Sequence, residues 1–161
     1  MRVFRECYLP LRNSGGIGRF SLFTLTDKAE QDDHCARIYN KSLLYLVSNA
    51  FESRPRIPLI RPDGEAILGM EKFVRKDKDA TKALATGPHG WVLPPNTQPA
   101  GALDASASRA HGGFDDETAT VKATLARVLG TEAAAKSAQF TFERSGSSLG
   151  DRRRAAAYLD E

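Results

Sequence analysis

The chain has 161 residues, 41% of them hydrophobic and 27% charged, and a net charge of +3, the balance of an ordinary soluble protein with room for one domain. Apart from Arg152, Arg153 and Arg154 the basic residues are scattered, so no Lys/Arg face marks a nucleic-acid binder, and no apolar run of about 18 residues marks a membrane span. Two cysteines, Cys7 and Cys35, build no disulfide framework and suit a reducing cytoplasm, and MRVFRECYLPL lacks the apolar core and cleavage site of a secretory signal.

Residues 2–11 predict a short helix with Val3, Phe4, Cys7 and Tyr8 on one side, ended by Pro10. Residues 13–18, NSGGIG, read as a turn. GGIG precedes a strand instead of joining strand to helix, and no Lys-Ser or Lys-Thr follows, so it is no phosphate loop.

Residues 19–26 predict a strand, with Phe20 and Leu22 on one face and Phe23 and Leu25 on the other. Apolar residues on both faces are the pattern of an interior strand in a sheet covered by helices. Asp27 stands at its C-terminal end, where open α/β sheets place their working residues. With Glu30 three residues on, Asp27 also matches the capping box that opens a helix; Asp32 or Asp33 could cap a later start. One helix is then expected over about 33–52, because Cys35, Tyr39, Leu43, Leu46, Val47 and Ala50 recur at helical spacing.

Pro55, Pro58 and Pro62 mark a surface excursion, and residues 65–74 fit either a short strand or a helical turn. Residues 76–90, charged and punctuated by glycine, read as exposed. Trp91, Val92 and Leu93 predict a short edge strand stopped by Pro94 and Pro95, and residues 96–110 a small-residue loop. Asp115 or Asp116 is expected to cap a second helix, with Val121, Leu125, Val128 and Leu129 as its apolar stripe and Gly130 as its stop. The tail, 131–161, reads as a strand QFTFE, a Ser/Gly turn and a short basic helix.

Three histidines, His34, His89 and His111, are too few and too scattered for metal ligation, and no C-x-x-C or H-E-x-x-H occurs, so no metal or cofactor is expected. Acyl-transfer chemistry fits better. An acid after a strand and a histidine in a loop before a helix are the order and setting of the last two members of an α/β-hydrolase triad. Asp27 and His111 occupy them, with Gly112 and Gly113 beside the histidine. Such an acid orients the imidazole, and the imidazole moves the serine proton.

FSLFTLTDKAEQDDHCARIYNKSLLYLVSNAFE, ILGMEKFV and HGGFDDETATVKATLARVLG together resemble the C-terminal half of bacterial α/β-hydrolase-fold proteins, over about residues 1–130. The resemblance implies an α/β fold: a partial hydrolase-like sheet with few strands and two main helices, its N-terminal half missing. It also implies Asp27 and His111 as catalytic acid and base, with Asp32 or Asp33 as reserve acids. The family chemistry is hydrolysis of an ester, thioester or amide by a Ser-Asp-His triad. The nucleophile elbow, G-x-S-x-G, is absent ahead of Asp27; its one match, around Ser148, comes in the wrong order. The chain alone is therefore expected to be inactive, with a separately encoded N-terminal half or a second copy as partner. The alternative is a non-catalytic interaction module that pairs through an exposed sheet edge.

Overall fold

The computed structural model describes residues 1–33, 41–50, 64–85, 89–99 and 101–130. Three expected features lie outside them: residues 34–40 of the long helix, the proline excursion at 51–63, and the tail with Ser148 and Arg152 to Arg154. The chain divides into two compact units, Met1–Leu93 and Pro94–Glu161.

The first unit is mixed helix and sheet. Strand β1, Phe20–Phe23, pairs in parallel with β2, His89–Val92, with Leu22 opposite Trp91 and Phe23 opposite Val92. The Thr24 N–H donates to Val92 O at 3.1 Å and adds one rung. Parallel strands need a crossover, and among the described residues the connection carries four helices. They are α2 (Asp27–Asp32), α3 (Leu43–Ala50), α4 (Glu71–Lys76) and α5 (Lys78–Leu84). Among the described residues the sheet has two strands, so β1 has one strand neighbour where the two-faced apolar pattern predicted two.

The N-terminal helix forms, but Pro10 does not end it. A π-turn over Phe4–Tyr8 runs directly into α1, Leu9–Asn13. Pro10 falls in the first turn of α1, where a missing N–H costs little. The π-turn puts Phe4 and Tyr8 inside, while Val3 stays 70% exposed and Cys7 exposed. Phe4 and Tyr8 cluster with Val74, Ala80, Ala83 and Leu84, and Phe20, Leu22 and Trp91 pack against that cluster. One face of β1 is thereby covered, and the N-terminal helix covers it.

The long helix expected over 33–52 is not one helix. α2 starts earlier, at Asp27, and stops at Asp32; the backbone of Asp33 is extended, and α3 starts afresh at Leu43. The Ser42 N–H bonds Glu30 O at 2.9 Å, which folds the start of α3 back onto the end of α2. Gly64 lies against the far end of α3: a Cβ there would come within 2.5 Å of Ser48 Oγ, so the close approach requires glycine. Residues 76–90 are also not simply exposed. Asp77 caps α5 through the Ala80 N–H at 2.9 Å, and Ala80, Ala83 and Leu84 form a buried face.

The second unit contains a 3-10 turn, His111–Gly113, and helix α6, Thr118–Leu129. Asn96 closes the preceding loop: its Nδ2 donates to Asp104 O, and its Oδ1 accepts from the Gln98 and Ser106 N–H groups. Glu117, not Asp115 or Asp116, caps α6, accepting from the Ala119 and Thr120 N–H groups at 2.8 and 2.9 Å. Burial pushes the Glu117 carboxyl up, but hydrogen bonds from Ala107, Ala119 and Thr120 outweigh it and hold the group below its ordinary range.

The face that α6 buries is Thr120, Ala123 and Ala126, while Leu125, Val128 and Leu129 of the expected core stripe are exposed. The reason is polar. Thr120 Oγ1 donates to Glu117 Oε2 at 2.7 Å, which leaves Ser106 Oγ, 2.6 Å away, to donate to Thr120. Ser108 Oγ uses its proton on Gly113 O. Small residues allow the helix to approach this hydroxyl cluster; leucines on the same face would not.

Candidate functional site

Asp27, Glu71, Lys72 and Arg75 of the first unit meet where β1 gives way to α2 and beside Trp91 of β2. Thr26, extended, caps α2 by accepting the Ala29 N–H at 3.2 Å, so Asp27 is the first residue inside the helix and not its cap. Its carboxylate is then available to another helix. Asp27 Oδ1 accepts the Lys72 N–H, at the second residue of α4, at 3.2 Å. In return Glu71, the first residue of α4, accepts the Asp27 N–H on Oε2 at 2.6 Å. Each helix start is thus served by a carboxylate from the other. First-turn N–H groups have no partner within their own helix and carry the positive end of its dipole. The residue before α4, Met70, has no side-chain acceptor, and Asp27 supplies one from across the fold.

The surroundings are basic and aromatic. Arg75 Nε donates to Glu71 Oε1 at 2.6 Å, and the Arg75 guanidinium lies 5.2 Å over the Trp91 ring. Trp91 Nε1 donates to Thr24 Oγ1 at 2.8 Å, so β1 and β2 are joined by side chains as well as backbone. Lys72 Nζ sits 4.8 Å from the Tyr45 ring centre and 4.6 Å from that of Phe73. Half-buried Asp27 is held above its ordinary value, first by burial and then by the Glu71 charge, against the Lys72 N–H bond and the charges of Lys72 and Arg75.

No family model, no curated protein and no solved structure matches the chain. The site's chemistry therefore rests on its own residues.

His111 is the first residue of the 3-10 turn in the second unit, its ring edge-on to Phe114 with centres 5.6 Å apart. Asp27 belongs to the first unit. Of the reserve acids, Asp32 is exposed and paired with Lys28 at 2.7 Å, and Asp33 is buried where α2 ends. Among the described residues no group of three or more His, Cys, Asp or Glu side chains is placed to hold a metal ion, and no helix is long and apolar enough to cross a membrane.

Glu71, Arg75 and Thr24 are the site residues that sequence reasoning missed. The i,i+4 spacing of Glu71 and Arg75 was a usable sign that a helix begins at 71, since an acid in the first turn and a base one turn on favour one. Nothing local could have shown that Glu71 meets Asp27, 44 positions away.

Proposed function

We propose that Asp27 and His111 are the acid and base of an α/β-hydrolase-like arrangement. Its family chemistry is ester, thioester or amide hydrolysis through a serine acyl-enzyme, and the chain alone is inactive. The observation that carries this reading is the Asp27 carboxylate at the C-terminal end of a parallel strand, half-buried, with Oδ1 engaged by Lys72. The test is a pH titration of the His111 ring by NMR. A carboxylate partner favours the imidazolium, so Asp27→Asn should move the His111 midpoint down. A midpoint indifferent to Asp27→Asn ends the acid–base assignment. Fluorophosphonate should leave the chain unlabelled; labelling of Ser148 would overturn the inactive reading.

A second reading is a non-catalytic module that pairs through a sheet edge, with a second copy of the chain as partner. It is favoured by the two-stranded sheet, since each strand has one strand neighbour among the described residues. Light scattering should then show mass rising with concentration. A constant monomer mass at high concentration removes this reading and leaves the first untouched.

A further inference from the structure

The exchanged carboxylates do more than cap. We propose that Asp27 and Glu71 form a proton-controlled latch between the starts of α2 and α4, tightened by acid and loosened by base. This goes beyond the catalytic reading and rests on contacts within the first unit alone.

Both helices have six residues, too short to persist without contacts at their ends. The groups that act on Asp27 come from α4: the Glu71 carboxylate, the Lys72 N–H and ammonium, and the Arg75 guanidinium. Its nearest charged neighbours on α2 are Lys28, paired with Asp32, and buried Glu30. From α3 and the residues before it, the Tyr45 ring takes the Lys41 ammonium at 5.1 Å and the Lys72 ammonium at 4.8 Å. With both acids ionised, two backbone hydrogen bonds hold the helix starts together while two like charges oppose them. Arg75 is bonded to Glu71 and not to Asp27. Burial first, and then the Glu71 charge, favour a proton on Asp27. On Oδ2 it leaves Oδ1 free to go on accepting the Lys72 N–H, and Glu71 still accepts the Asp27 N–H. Protonation thus removes a repulsion and breaks no hydrogen bond.

The sign follows from Asp27 being held above its ordinary 3.8. Its contribution to stability is fully present below that value and is lost as pH rises through the raised one. The latch is read by hydrogen exchange at the Asp27 and Lys72 amides, normalised to intrinsic rates, from about pH 7.5 down to about pH 4.5. Protection should rise at least about twofold on acidification. The Ala80 amide, capped by Asp77, is the flat control because Asp77 titrates below the ordinary range. Asp27→Asn keeps the acceptor without the charge and should abolish the slope; Glu71→Gln removes the repulsion but not the burial and should reduce it. A slope lost in Asp27→Asn and reduced in Glu71→Gln supports the latch. A slope kept in Asp27→Asn, unchanged in Glu71→Gln, or absent from the native chain overturns it.

Discussion

Replacing Phe4 by Ala is expected to cost about 3–5 kcal/mol, the range for deleting a buried aromatic ring. Phe4 is 4% exposed, stacked on Tyr8 with ring centres 4.6 Å apart, and Tyr8 in turn lies 4.3 Å from the Phe20 ring on β1. The three rings fasten the N-terminal helix to the sheet, and Val74, Ala80, Ala83 and Leu84 close around them. A cavity here touches both layers, and the loss is a large share of the total stability of about 5–15 kcal/mol that a small domain possesses. Thermal melting should show Tm lowered by more than about 10 °C. Val3→Ala, one residue away and 70% exposed, should stay within about 0.5 kcal/mol of the native chain. Equal losses in the two variants would show that the helix does not pack by its Phe4 face.

Asp77→Ala is expected to cost about 2–3 kcal/mol, because one carboxylate performs two tasks. Oδ1 caps α5 through the Ala80 N–H, and Oδ2 accepts from Arg5 Nε at 2.9 Å and from the Arg5 terminal nitrogen. The side chain is buried, whereas Arg5 is largely exposed, so the cap weighs more than the ion pair. Asp77→Asn, which can still cap, should recover more than half of the loss, as measured by denaturant unfolding. Equal losses for Ala and Asn would transfer the weight to the ion pair. The pH dependence runs opposite to that of Asp27. Burial raises the Asp77 carboxyl, but the Ala80 bond and Arg5 outweigh it and hold the group below 3.8. Its contribution is present above that value and is lost as pH falls through the lowered one. Glu117, also held low, has the same sign. Asp77→Ala should therefore flatten the acid limb of the stability curve.

Local patterning was legible where side chains and backbone answer to near neighbours. The helix ending at Gly130 with φ 86° and the turn through Gly15 stand where their residues predict, while the strands expected over 19–26 and 91–93 form at 20–23 and 89–92. The misreadings share one cause: a local pattern was assigned a partner it does not have. Asp27 matches a capping box, but Thr26 takes the cap and frees Asp27 for α4. Leu125, Val128 and Leu129 are apolar, yet the Ser106 hydroxyl, donating to Thr120, draws the helix's small-residue face inward. Residues 76–84 look too charged to pack, but the charges lie on one side and Ala80, Ala83 and Leu84 on the other.

By itself the sequence determined the mixed helix and strand composition, the position of Asp27 beyond a strand's C-terminal end and the stop of α6 at Gly130, because those depend on spacing, caps and backbone preferences within a turn or two. Only the tertiary structure decided that the strands pair in parallel, that Phe4 and Tyr8 cover β1, and that Asp27 faces Glu71. These are contacts between residues 12 to 69 positions apart, such as Tyr8 with Phe20 and Phe20 with His89. Such pairings are selected by the burial and electrostatics of the whole unit, which no window along the chain contains.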